Sequence, residues 1–164
     1  MKRLFVIIIV FLSSLATLIG CNQENSNKKL QNKIDSLQAK VNNAYVPGTG
    51  EIMSNIVLPH HYKLWLAGEN KNWELAKYES HLLSGGFKRI QKFHRGTPEA
   101  NNTPMIYPQL EAVDKAIKQH DINAFNSSFA VLTATCNTCH QATNYGVNII
   151  TVPTAKGSFD NQKF

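Results

Sequence analysis

Phe125-Asn126-Ser127-Ser128-Phe129-Ala130-Val131-Leu132-Thr133-Ala134-Thr135-Cys136-Asn137-Thr138-Cys139-His140 joins two patterns in one run. Phe125, Phe129 and Leu132 stand at spacings of four and three, the apolar stripe of an amphipathic helix, and that stripe leads directly into Cys136 and Cys139. The pentapeptide C-x-x-C-H is the attachment signature of a c-type haem: two thiols add to the porphyrin vinyl groups, and the adjoining imidazole, His140, becomes the proximal iron ligand. The spacing has a physical reason on helical backbone. Sulfurs three residues apart share one face, and the next residue projects toward the iron. The same spacing serves elsewhere as half of a zinc site, which needs a second pair of ligands that no further Cys pair supplies here, or as a thioredoxin-like dithiol, which opens a helix instead of ending one. The run therefore predicts a helix that carries one covalent haem c near its C-terminal end, with Phe129 and Leu132 as candidate pocket walls.

Working back from this helix, three more amphipathic segments come into view. Leu110, Val113 and Ile117 predict a helix from about Pro108 to His120, after which Asp121 is placed to cap the motif helix. Leu75, Tyr78, Leu82, Ile90 and Phe93 predict a long helix from Asn70 or Asn72 to about His94, weakened or bent at Gly85-Gly86. Ile52, Ile56, His60 and Leu64 predict the first of the set, from Glu51 to Ala67, kinked at Pro59 and stopped by Gly68. Between them, Gly96 to Pro104 reads as a loop. Beyond the motif, Tyr145 to Pro153 is β-branched and predicts an extended strap across the helices.

The N-terminus adds an address. Lys2 and Arg3, the apolar run Leu4 to Leu12 and the small residues up to Gly20 form an export leader, 1–20, too short in its apolar part to span a bilayer as a helix. Leu18-Ile19-Gly20-Cys21 matches a lipobox, so Cys21 is expected to carry lipid and the protein to be membrane-anchored, facing the periplasm or the cell exterior. All three cysteines are thereby assigned, as an oxidising compartment favours. Residues 21–50 then read as a polar tether, Asn22 to Lys29, followed by a short heptad helix carrying Leu30, Ile34, Leu37, Val41 and Ala44. That seam is short for a coiled coil, and weak self-association through residues 30–44 is the corresponding expectation. Pro47-Gly48-Thr49-Gly50 breaks it, leaving 51–164 as the haem domain. Without Lys2 and Arg3 the precursor's net charge of +6 falls to +4, a bias suited to partner docking and too small to suggest nucleic acid.

Four amphipathic helices with the haem motif near the end of the last resemble the class II cytochromes c, the cytochrome c′ and c-556 group. Class I cytochromes carry the motif near the N-terminus and a Met ligand after it, whereas no Met follows His140. Within the group, His61-Tyr62-Lys63-Leu64-Trp65-Leu66-Ala67-Gly68, Asn72-Trp73-Glu74-Leu75-Ala76-Lys77-Tyr78-Glu79, Val152-Pro153-Thr154 and Asn161-Gln162-Lys163-Phe164 are similar to a set of small exported bacterial c-type cytochromes. The resemblance implies a four-helix bundle and a sixth iron ligand from the first helix. His61, in the run most like that set, is the leading candidate, with Trp65 beside it in the pocket; Met53, two turns earlier, is the alternative. His81, His94 and His120 read as surface imidazoles, and Lys88, Arg89, Lys92, His94 and Arg95 as a solvated helix end or docking patch.

Function follows from these parts. Nothing resembles a hydrolytic triad or a phosphate loop, and no distal Arg and His pair suggests a peroxidase, so the protein is not expected to be an enzyme. A single-electron carrier serving redox partner proteins is the first expectation. A five-coordinate haem protein binding NO or CO is the second, implied by the resemblance to cytochrome c′.

Overall fold

The computed structural model describes residue 23 and residues 25–154, and divides the chain into two units, Met1–Tyr45 and Val46–Phe164. The leader, Cys21 and the stretch Asn161 to Phe164 lie outside the described residues. No strand occurs among the described residues, so the protein is all-helical there.

In the first unit residues 25–42 form one helix, α1. It starts earlier than expected, because half of the segment read as a loose tether is already wound. Once the heptad segment is nucleated, each added residue gains a backbone hydrogen bond at little further cost. Along α1, Gln31 Nε2–H donates to Asp35 Oδ1 and Gln38 Nε2–H to Asn42 Oδ1, both at 2.9 Å. Leu30, Ile34, Leu37 and Val41 are all exposed.

The second unit opens with three helical segments that follow without a break, Thr49–Ile52, Met53–Val57 and Leu58–Glu69, together α2. The middle segment is a π turn in which Leu58 N–H bonds to the Met53 carbonyl, five residues back. Pro59 accounts for it: proline cannot donate to the carbonyl four residues before it, and a widened turn ahead of the ring absorbs the mismatch without ending the helix. Gly68 does not stop α2 either. The stop comes at Lys71, held left-handed at φ 56°, with Asn72 N–H bonded to the Ala67 carbonyl and Lys71 N–H to that of Gly68, a Schellman ending on a non-glycine residue.

Asn72 then caps α3, Trp73–Phe93, its side chain accepting from Leu75 N–H at 3.2 Å. The segment expected to be a loop instead holds a short helix, α4 (Pro98–Asn102), capped by the Thr97 hydroxyl, and a 3-10 turn, Thr103–Ile106. A capping Thr followed by a first-turn Pro outweighs the turn-rich composition there. α5 (Tyr107–Gln119) ends on His120 at φ 54°, and Asp121 Oδ1 accepts from Asn123 and Ala124 N–H to start α6 (Ile122–Ala142).

α2 packs on α3, α3 on α5, α5 on α6 and α6 on α2, and Leu64, Leu83, Ile90, Val113, Phe125 and Phe129 are buried in the core they share. Two glycines lie at contacts between these helices. A Cβ on Gly68 would collide with Phe125 Cε1, and one on Gly86 would lie 2.8 Å from Val57 Cγ2, so both are contact points between helices. α3 runs unbroken through Gly85-Gly86, and Gly86 lets α2 come close. Inside the α2–α3 contact, His60 Nδ1–H donates at 2.6 Å to Oε2 of Glu79, a carboxylate buried to 1% exposure.

Candidate functional site

The motif lies in the last two turns of α6, a place set by the chain's exit as much as by the helix. Asn144 at φ 64° gives α6 a Schellman ending: Tyr145 N–H bonds to the His140 carbonyl at 2.7 Å and Asn144 N–H to that of Gln141 at 3.3 Å. The chain is thereby turned back, and residues 145–150 run beside the motif helix. These residues pair with no strand; they are held by side chains of the motif itself. Asn137 Nδ2–H donates to the Ile150 carbonyl and Ile150 N–H donates to Asn137 Oδ1, each at 2.8 Å. His140 Nδ1–H donates to the Asn148 carbonyl at 2.6 Å.

Cys136, Cys139 and His140 all open onto one cavity of about 450 Å³, a size suited to a small-molecule or cofactor site. α2 contributes Met53, Ser54 and Val57 to its wall, α3 contributes Phe87, and the 3-10 turn contributes Thr103 and Ile106. Tyr145 and Val147 to Ile150 close a further side. The π turn caused by Pro59 is thus part of the wall, and it carries Met53.

The two thiols are poor nucleophiles as they stand. Burial, and after it the neighbouring Cys139, pushes the Cys136 thiol up to about 12. Burial, and then the Glu99 carboxylate, raises Cys139. A reactive thioredoxin-like dithiol requires the opposite shift, which a helix N-terminus or a nearby cation provides; here the pair sits at the negative end of the α6 dipole. Nor do Cys136, Cys139 and His140 close around a point: among the described residues no three His, Cys, Asp or Glu side chains form a metal cage.

His140 has the arrangement expected of an iron-binding imidazole. With Nδ1–H given to Asn148, the tautomer leaves the lone pair on Nε2. Of the candidates named from sequence, Met53 lines this cavity, whereas His61, Trp65, Phe129 and Leu132 do not. Phe129 and Leu132 are buried in the helix core, and Trp65 packs against that core. His61 is 3% exposed, its ring 4.6 Å from that of Phe129, with Nε2 2.9 Å from Thr133 Oγ1. Thr133 spends its hydroxyl proton on the Phe129 carbonyl at 2.9 Å, so it must accept from His61, which fixes the Nε2–H tautomer. Burial lowers the His61 pKa from 6.5 to about 4, keeping the ring neutral.

Sequence reasoning missed Val57, Phe87, Thr103 and Ile106, which stand in no apolar stripe read from the sequence, Thr103 lying in the segment read as a loop, and it missed the backbone carbonyl of Asn148, which no side-chain pattern announces. It also missed Glu99, in the cavity wall, whose carboxyl its own backbone N–H and the Thr97 hydroxyl hold below the usual carboxylate range. Of the histidines read as surface imidazoles, His81 and His120 are exposed, His120 stacking on Trp73 at 5.6 Å between centroids, while His94 is half-buried and its Nε2–H donates to the Pro47 carbonyl at 2.8 Å. Lys88, Arg89, Lys92 and Arg95 are exposed.

Comparisons of the chain with protein-family models, with curated proteins and with solved structures returned no match.

Proposed function

We propose that residues 46–164 are a class II c-type cytochrome, a cytochrome c′-like four-helix bundle with one covalent haem, serving as a single-electron carrier at a membrane face. The observation that carries this reading is that both thiols and an imidazole already polarised by Asn148 open onto one largely apolar cavity. Those residues fit the group: Cys136 and Cys139 would hold its vinyl edge and His140 Nε2 its iron, while Val57, Phe87 and Ile106 would supply apolar contact. Bound there, haem supplies a one-electron iron centre. The protein's part is to hold the ligands, keep water from the apolar wall and tune the iron's electron density through His140.

In this reading Met53 would supply the sixth ligand, ahead of His61. Met53 lies on the cavity wall, and its thioether is partly buried there without a competing hydrogen bond to break. His61 lies outside the cavity wall and would have to leave the Thr133 hydroxyl and the Phe129 ring to reach it. A thioether ligand raises the reduction potential relative to a bis-imidazole centre, which suits a carrier downstream of membrane redox enzymes. Lipid at Cys21 would keep the carrier near those enzymes.

Optical spectra of mature wild type, Met53→Leu and His61→Ala test the assignment. Wild type and His61→Ala should both be low-spin, while Met53→Leu should turn high-spin and take up CO. A wild type that is high-spin and binds CO at once would make gas binding the better reading. Pigment extracted by acidic organic solvent would remove the covalent haem altogether.

A further inference from the structure

Asn137 is the first of the two spacer residues of the motif, a position that attachment chemistry leaves free. Its side chain is nevertheless fully engaged: the amide donates to the carbonyl and accepts from the N–H of one residue, Ile150, at 2.8 Å each. It stands where a partner strand would, pairing both backbone groups of a segment that has no strand beside it. We propose that Asn137 is a positioning residue for the proximal imidazole: by clamping Ile150 it holds the Asn148 carbonyl against His140 Nδ1–H and so sets the donor strength of Nε2. The proposal rests on the haem reading above and deepens it.

Burial cannot place that carbonyl. Val147 and Ile149, on either side of Asn148, are 90% and 73% exposed, so the strap gains little from packing at this point. Its position is fixed by anchors instead. Upstream, Tyr145 is tied by its N–H to the His140 carbonyl, and Asn148 N–H turns back onto the Tyr145 carbonyl at 2.9 Å. Downstream the anchor is Asn137 on Ile150, two residues past Asn148. With both anchors in place the 2.6 Å bond to His140 follows from geometry; without Asn137 the exposed strap swings from its upstream end and that carbonyl is no longer held. A hydrogen bond from Nδ1–H pushes electron density onto Nε2 and favours the ferric state, so its loss raises the potential.

The test uses mature, lipid-anchored or detergent-solubilised holoprotein carrying Asn137→Ala, and separately Ile150→Pro, which removes the N–H donated to Asn137 while leaving Asn137 itself. In both variants the ferric-to-ferrous ratio at a fixed ambient potential should fall roughly tenfold, the low end of what supporting-shell changes cost in metal affinity or activity, which for one electron is an upward shift of about 59 mV. The double variant should shift no further than either single one. Amide exchange at Ile150, whose N–H Asn137 accepts, should quicken in parallel in Asn137→Ala. Faster exchange with an unchanged potential would overturn the proposal, reducing Asn137 to a strap anchor, and unequal additive shifts would overturn the shared clamp. Wild-type pigment that is not covalent would sink the haem reading, and the proposal with it. Covalent pigment with an unmoved potential sinks the proposal alone.

Discussion

Replacing His61 by Gln tests whether this histidine belongs to the core, because the two placements give opposite pH behaviour. In the folded protein burial lowers its pKa from 6.5 to about 4, while the unfolded chain keeps the ordinary value. Between those two values the unfolded state binds a proton that the folded state refuses, so stability is fully present above about pH 6.5 and is lost as pH falls toward 4. At about 1.36 kcal/mol per unit, the loss reaches roughly 2 kcal/mol at pH 5 and roughly 3 kcal/mol near pH 4. Other groups titrate in the same window, so the quantity to follow is wild type minus variant. Urea unfolding by circular dichroism of wild type and His61→Gln at pH 7.5, 6, 5 and 4.5 should show the wild-type advantage shrinking by these amounts as pH falls. At neutral pH the variant should be destabilised by about 1 to 2 kcal/mol, since Gln reaches Thr133 less well and leaves space beside Phe129. A difference that stays flat from pH 7.5 to 4.5, or an imidazole resonance titrating near 6.5, would refute the buried neutral ring. It would also free His61 to act elsewhere.

Gly68→Ala, whose Cβ would fall inside the Phe125 ring, should cost about 3 kcal/mol in urea unfolding; Gly85→Ala, with nothing within 4 Å, should stabilise by about 0.5 to 1 kcal/mol. Equal effects at the two positions would contradict the α2–α6 contact. Cys21→Ser should release holoprotein into the soluble exported fraction, and a mass spectrum of wild type with an unmodified Cys21 would count against the anchor. The exposed seam Leu30, Ile34, Leu37 and Val41 is expected to associate weakly with that of a second copy. Sedimentation of the ectodomain at increasing concentration, against a chain starting at Val46, should show mass growth only in the longer form; identical monomer masses would dispose of it.

Most helices were legible because periodicity and caps are local. Asn72 and Asp121 do at the N-termini of α3 and α6 what their short polar side chains suggest, and the apolar stripes of α5 and α6 face the core. The endings were harder to see, since Lys71 and His120 take the left-handed conformation that sequence rules reserve for glycine, each imposed by the close turn into the next packed helix. Gly68 and Gly86 misled for the same reason: they look like breakers, but their missing side chains serve contacts with α6 and α2.

The motif residues Cys136, Cys139 and His140, and their common face, were determined by the sequence alone, because three-residue spacing on a helix is a local property. Which residues stand around that face was decided only in three dimensions. His61 and Met53 lie on the same helix, and nothing in their spacing separates a core imidazole from a residue on the cavity wall. The π turn ahead of Pro59 sets the register of α2, and with it Met53 lines the cavity while His61 meets Thr133. The Asn148 carbonyl is more remote still from sequence, since every residue carries a carbonyl. Only the turn at Asn144 and the grip of Asn137 on Ile150 bring this one to His140.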